Sequence, residues 1–80
     1  MSEIEKIIQG NYPGWTIGIT DDPERRKGEH EADGKDVRRW KDWEADSKGD
    51  AEYTETYFIG RGMQGGEGGG TPETRFVYIF

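Results

Sequence analysis

The chain has 80 residues, of which 30% are hydrophobic and 35% are charged; its formal net charge is −6 and it has no cysteine. This length allows one small domain with a thin core, in which three Trp, four Tyr and three Phe supply much of the buried apolar surface. Because there is no cysteine, the composition excludes disulfides, thiolate zinc sites and cysteine nucleophiles. It predicts a cytoplasmic protein without a membrane partner. A single domain should span residues 1–80.

The first predicted elements are a short helix, a strand and a second helix. Residues 3–9 carry isoleucines at helical spacing, i, i+3 and i+4. Residues 15–20 alternate large apolar with small or polar side chains, which is typical of a half-buried strand. Asp22, followed by Pro23, is a good N-cap and predicts a helix over residues 23–31.

The second half of the chain predicts two more helices and a last strand. Residues 35–45 carry Val and Trp side chains along one helical stripe, and Asp50 is a good N-cap for a helix over residues 51–60. Residues 60–70 are rich in glycine and predict a loop. The apolar run 75–80 predicts a strand.

The predicted elements define an α+β fold. The two convincing strands, residues 15–20 and 75–80, should pair with each other in a short antiparallel sheet. Because two strands alone are only marginally stable, helices must cover the sheet. We therefore predict one small domain in which about three to four helices cover a short antiparallel sheet.

Basic residues are concentrated between Arg25 and Lys41, which we call the basic segment. It holds seven basic and four acidic residues, so its charge is +3 and that of the rest of the chain is −9. Two interpretations remain open. The segment is either a solvated surface of mixed sign or a phosphate-facing patch, in which Arg25, Lys27, Arg38 and Arg39 would contact nucleic acid.

A strand, a turn and a helix start follow one another in the series Thr16-Ile17-Gly18-Ile19-Thr20, Asp22-Pro23, Arg25-Arg26 and His30. This series resembles the second motif of the GIY-YIG nuclease superfamily. In that family a strand leads through a turn into a helix with an arginine and, often, a histidine one turn later. The resemblance covers about residues 15–80 and implies catalytic roles for Arg26 and His30.

The resemblance also implies a metal ligand. Residues 51–59 look like a later helix of the family, whose glutamate holds a divalent cation, and Glu55 occupies the matching position; the implied cofactor is Mg²⁺ or Mn²⁺. The tyrosines of the family's motifs are missing. Residues 3–6 stand in place of the first-motif strand, Thr16 stands where the second motif has tyrosine, and Tyr12 is the nearby phenol that could substitute.

Two functions of different class follow from these residues. The first is a minimal metal-dependent endonuclease that hydrolyses phosphodiesters of DNA or RNA. The second is a catalytically inactive module on the same scaffold, which binds nucleic acid or a protein partner through the basic segment. An acidic protein that binds divalent cations ranks below both. Structural roles also stay open: Arg26 could pair with Glu55 or Asp22, and His30 could cap its helix.

Overall fold

The computed structural model describes residues 2–65 and 74–80, and in them a four-stranded sheet lies between helices. The elements in chain order are α1 (Ser2–Ile8), a 3₁₀ turn (Tyr12–Gly14), β1 (Thr16–Thr20), α2 (Pro23–Ala32), β2 (Lys41–Glu44), α3 (Lys48–Gly60), β3 (Gln64–Gly65) and β4 (Phe76–Ile79). The predicted α+β class is confirmed.

The sheet has the strand order β2-β4-β1-β3. The predicted pairing of the first and last long strands is correct: β1 and β4 are antiparallel, with Ile17 opposite Ile79. On its other side β4 pairs antiparallel with β2, and β1 pairs with the short strand β3 in parallel, Thr16 opposite Gln64. The sheet is therefore mixed, because part of the glycine-rich segment forms a strand.

The helix predicted over residues 35–45 is wrong. Residues 41–44 form strand β2, and the preceding residues cross over the sheet without a helix. The Asp36 carboxylate accepts hydrogen bonds from the backbone N–H and the side chain of Arg38, and such local bonds compete with helix formation. The two tryptophans pack in different places: Trp40 lies against Tyr78, whereas Trp43 lies against the main core.

Side-chain caps start the two longer helices. The predicted N-cap of α2 is confirmed, since the Asp22 carboxylate accepts from the Arg25 backbone N–H at 3.1 Å. The predicted N-cap of α3 is wrong, because α3 begins three residues earlier than expected. Its N-cap is Ser47, whose hydroxyl accepts from the Asp50 backbone N–H at 3.1 Å.

The sheet has two differently packed faces. On the α1/α3 face, an apolar cluster joins α1, α3 and the inward side chains of β1 and β4; its buried members are Ile4, Ile8, Trp15, Ile17, Ile19, Ala51, Phe58, Met63, Val77 and Ile79. On the α2 face, a smaller cluster contains Val37, Tyr78 and Phe80, with Trp40 packed against it. Alternation along β4 sends consecutive side chains to opposite faces.

Part of the predicted glycine loop, residues 66–70, lies outside the described residues. Among the residues that the structure describes, no helix is long and apolar enough to cross a membrane.

Candidate functional site

The α2 face of the sheet brings together Arg26, His30 and Tyr78. Arg26 and His30 lie one turn apart on α2, so both side chains reach the sheet at the same place. The Arg26 Nε–H donates to the Tyr78 hydroxyl oxygen at 3.4 Å, and the His30 Nε2 lies 3.0 Å from the same oxygen. Two residues predicted from the resemblance therefore share one phenol, which comes from the last strand.

A glycine in β1 makes room for the Tyr78 ring. Gly18 and Tyr78 are opposite each other in the antiparallel pair, so their Cβ positions lie on the same face. A Cβ atom at Gly18 would overlap the hydroxyl and ring carbons of Tyr78. The missing side chain thus lets the phenol lie across β1 and reach α2.

The hydrogen-bonding groups fix the direction of the Arg26 bond. The guanidinium of Arg26 can only donate, so the Tyr78 oxygen accepts from it. We assign a neutral imidazole to His30, and its tautomer decides whether Nε2 accepts from the phenol or donates to it. Burial, and next the positive charges of Arg26 and Lys35, lower the pKa of His30 below its ordinary value, in agreement with this assignment.

The three residues differ in their access to solvent. Tyr78 is wholly buried and His30 is 7% exposed, whereas the side chain of Arg26 is 22% exposed. Above them lies a surface hollow of about 220 Å³, lined by Arg26, Glu29, His30, Asp33 and Lys35. Arg26 and His30 therefore line the hollow, and Tyr78 contacts both from beneath it.

Charges around the phenol act on its titration. Burial raises the pKa of Tyr78, the hydrogen bond and charge of Arg26 lower it, and the charges of Glu55 and Glu29 raise it. The hydrogen bond to Tyr78, followed by that to Glu29 at 2.9 Å, raises the pKa of Arg26 against the effect of burial. Arg26 thus stays a cation that is held from two sides.

Glu55, the predicted metal ligand, lies on α3 and is half-buried. It shares a helix face with Ala51 and Phe58, both fully buried, so its carboxylate faces the sheet. Burial, and next the charge of Glu52, raise the pKa of Glu55. Its charge acts on Tyr78, but Glu55 is not among the described side chains that line the hollow with Arg26.

Tyr12, predicted as a substitute phenol, lies apart from the Arg26 site. Its ring packs against Phe58 with the centroids 6.4 Å apart, at the α1/α3 face. Its hydroxyl donates to the Glu5 carboxylate at 3.5 Å. The phenol at Arg26 and His30 is that of Tyr78, which the sequence reasoning missed.

Several cations of the basic segment are paired with carboxylates. Arg25 contacts Asp21 at 2.8 Å, and Arg38 contacts Asp36 at 2.8 Å. Arg39 lies 3.9 Å above the Trp15 ring and donates to a backbone carbonyl. The described contacts thus resemble a surface of mixed sign, and exposed pairs of this kind contribute little to stability.

The pairing of the strands gives the sequence pattern that could have pointed to Tyr78. It is the only residue of β4 with a hydrogen-bonding side chain, and it lies opposite the only glycine of β1. A large residue opposite a glycine fills the space that the glycine leaves open. Because the register was not known from the sequence, the pairing was not visible there.

Comparison with known proteins adds no relative. No family model matches the chain, and neither the curated proteins nor the solved structures contain a significant match.

Proposed function

We propose that this chain is a small metal-dependent nuclease of the GIY-YIG type that hydrolyses phosphodiester bonds in DNA or RNA. One observation carries the proposal: Arg26 and His30 meet at the Tyr78 phenol. The resemblance implied catalytic roles for both of these residues from their sequence positions alone. Their gathering around one buried hydroxyl supports those roles.

Arg26 would bind the phosphate. A guanidinium presents parallel N–H groups that match the oxygens of a phosphate, and it keeps its charge at every working pH. Its bonds to Tyr78 and Glu29 hold the guanidinium in one orientation at the edge of the hollow. Such a held cation stabilises the charge that develops during hydrolysis better than a mobile lysine would.

His30 would serve as the proton acceptor. A general base must be unprotonated near neutral pH, and burial together with nearby positive charges keeps the imidazole in that form. Tyr78 would be a positioning residue, because its hydroxyl contacts both side chains but does not reach the surface. In this arrangement Tyr78 would supply a phenol at a site where the tyrosines of the family's motifs are missing.

Glu55 would hold the divalent cation. Within residues 2–65 and 74–80, no group of three or more His, Cys, Asp or Glu side chains is placed to hold a metal ion. The number of carboxylates is no obstacle, because Mg²⁺ binds proteins through one or two of them together with waters and substrate phosphates. The position of Glu55 counts against this role, since α3 packs on the α1/α3 face and Glu55 does not line the hollow beside Arg26. When bound, such a cation neutralises phosphate charge and lowers the pKa of bound water.

Cleavage of supercoiled plasmid in Mg²⁺ or Mn²⁺ tests the proposal. We expect the wild type to nick the plasmid, and Arg26→Lys and Glu55→Gln each to reduce the rate about a hundredfold or more, since each removes a group that stabilises developing charge. Tyr78→Phe should lower the rate less, because it only loosens Arg26 and His30. Lys6→Ala and Glu24→Gln are matched controls at exposed sites and should retain the wild-type rate.

Two outcomes would contradict the proposal. One is a wild type that cleaves neither plasmid, single-stranded DNA nor RNA with either metal. The other is cleavage that survives in Arg26→Lys and Glu55→Gln alike, which would identify a contaminant. Circular dichroism of each variant separates loss of activity from loss of fold.

A binding module without activity is the second candidate, and the burial of Tyr78 and His30 favours it. Binding needs only the exposed part of Arg26 and its neighbours on the basic segment. This candidate predicts that labelled DNA or RNA binds without cleavage, with an affinity that falls steeply as salt rises. An affinity that does not depend on salt would exclude the basic segment as the contact surface.

A further inference from the structure

A second hollow lies on the α1/α3 face of the sheet, next to strand β2, and we call it the β2 groove. Its volume is about 290 Å³, and it is lined by Glu3, Ile4, Trp43, Glu44, Ala45, Asp46, Asp50, Thr54 and Val77. Small-molecule and cofactor pockets usually measure about 300 to 1,000 Å³. The β2 groove is therefore at the lower limit for a cofactor, and its size suits a single side chain.

The β2 groove has an apolar floor and an acidic rim. Ile4 and Val77 are buried at its base, and the half-buried indole of Trp43 forms one wall. Exposed carboxylates lie around this floor; they belong to Glu3, Asp46 and Asp50. A side chain with an apolar stem and a cationic end matches both parts, because the stem covers the floor while the charge stays at the wet rim.

Strand β2 offers a way to deliver such a side chain. It is the outermost strand of the described sheet, with β4 as its only neighbour there. An extended peptide can add to a free strand edge through backbone hydrogen bonds, and its side chains then alternate between the two faces. A side chain on the same face as Trp43 would lie over the groove.

We propose that the β2 groove binds a lysine or arginine side chain of a partner protein, presented by an extended segment that pairs with β2. The net charge of −6 favours approach of a basic segment. A hydrated metal ion would gain nothing from the Ile4, Trp43 and Val77 floor, which is why the groove favours an organic cation. This site is separate from the Arg26 site, since it lies on the other face of the sheet.

The rim is only partly neutralised within the chain. Asp50 lies in the first turn of α3 and Glu3 in the first turn of α1, where the helix dipole stabilises a carboxylate by about 0.3 to 1 kcal/mol. Asp46 lies outside both helices. Because the dipole effect is small, all three rim carboxylates stay available to a cationic ligand.

Titration of ¹⁵N-labelled protein with the capped peptide acetyl-Thr-Val-Lys-Val-Thr-amide tests the proposal. We expect the indole N–H resonance of Trp43 and the backbone amides of β2 to shift, with a dissociation constant of about 1 mM or below, as for a small interface. The indole resonance of Trp15 should stay in place and serve as an internal reference. A peptide with norleucine in place of lysine keeps the stem, lacks the charge, and should bind at least tenfold more weakly.

Matched variants separate the groove from the overall charge of the protein. Asp46→Asn with Asp50→Asn should weaken the lysine peptide at least fivefold. Glu24→Gln with Glu31→Gln removes the same charge from α2 and should leave its binding unchanged. The proposal is overturned if the Trp43 indole does not shift, if the norleucine peptide binds equally well, or if both double variants weaken binding alike. A spectrum of each variant without peptide confirms its fold.

Discussion

The two faces of the sheet differ in what they bury. The α1/α3 face buries an apolar cluster in which Phe58 and Ile17 are fully enclosed. The α2 face buries a phenol and an imidazole, with a guanidinium bonded to the phenol. Buried polar groups cost free energy unless they find partners. The α1/α3 face therefore stabilises the fold through apolar burial. The α2 face holds its polar groups in fixed positions, and their burial costs part of the free energy that the α1/α3 face supplies.

Truncating the α1/α3 face should have the largest effect on stability. Phe58→Ala removes a fully buried ring from the last turn of α3, and such substitutions cost about 3 to 5 kcal/mol of the free energy of unfolding. A small domain has only about 5 to 15 kcal/mol in total, so this variant should be largely unfolded or close to it. Urea denaturation followed by tryptophan fluorescence measures the loss.

Tyr53→Ala on the same helix is the control for this prediction. The Tyr53 side chain is 62% exposed, so its removal should change the free energy of unfolding by about 0.5 kcal/mol or less. A Phe58→Ala variant that loses less than about 1 kcal/mol would show that the cluster on this face does not carry the stability of the fold.

A smaller effect is expected where the α2 face meets β1. Gly18→Ala places a methyl group where the Tyr78 ring lies, and such overpacking costs about 1 to 3 kcal/mol. Gly28→Ala is the matched control, because a Cβ there meets no atom within 4 Å and alanine is the better helix former by about 0.5 to 1 kcal/mol.

These two alanine substitutions should therefore change stability in opposite directions. Gly18→Ala should also shift the His30 imidazole resonances, since the displaced phenol can no longer keep its 3.0 Å contact. If both variants are equally stable and the His30 resonances stay in place, the close packing of Tyr78 over Gly18 does not exist in solution.

The sequence contained enough information for the parts of the fold that depend on local patterns. Alternation in residues 15–20 and 75–80 predicted the central strand pair, and the Asp22-Pro23 pair predicted the start of α2. Periodicity failed for residues 35–45, where Trp40 and Trp43 stand three apart, a spacing that is typical of a helix. In the structure they pack against different clusters, because pairing with β4 overrides local preference.

The residues that α2 contributes to the candidate site could be predicted from the sequence, but the residue that β4 contributes could not. Arg26 and His30 could be paired from their spacing on α2, because helical geometry is local. Tyr78 lies 48 residues from His30 and 52 from Arg26, and only the β1–β4 register places it beside them. Tyr12 was closer along the sequence, but the 3₁₀ turn directs it to Phe58 on the other face.

The smallest expected difference between the two faces concerns pH. The free energy of unfolding should depend on pH because His30 is buried on the α2 face. The pKa of His30 in the folded protein lies below its ordinary value of 6.5. Between these two pKa values the unfolded chain binds more protons, so folding is weakened as pH falls below about 6.5 and His30 has no effect on stability above it. Each unit of difference in pKa corresponds to about 1.4 kcal/mol.

Two measurements test this effect. His30 is the only histidine of the chain, so its imidazole resonance can be followed by NMR without assignment, and its midpoint should lie below 6.5. The free energy of unfolding should fall more between pH 7.5 and 5.5 in the wild type than in His30→Gln. Glu55 acts in the opposite direction, because its raised pKa makes the folded state bind protons more tightly; as pH falls toward the ordinary glutamate pKa of 4.5, Glu55→Gln should therefore lose stability more steeply than the wild type. A His30 midpoint at or above 6.5 would show that the imidazole is not held neutral beneath Arg26, and the two faces would then differ in packing alone.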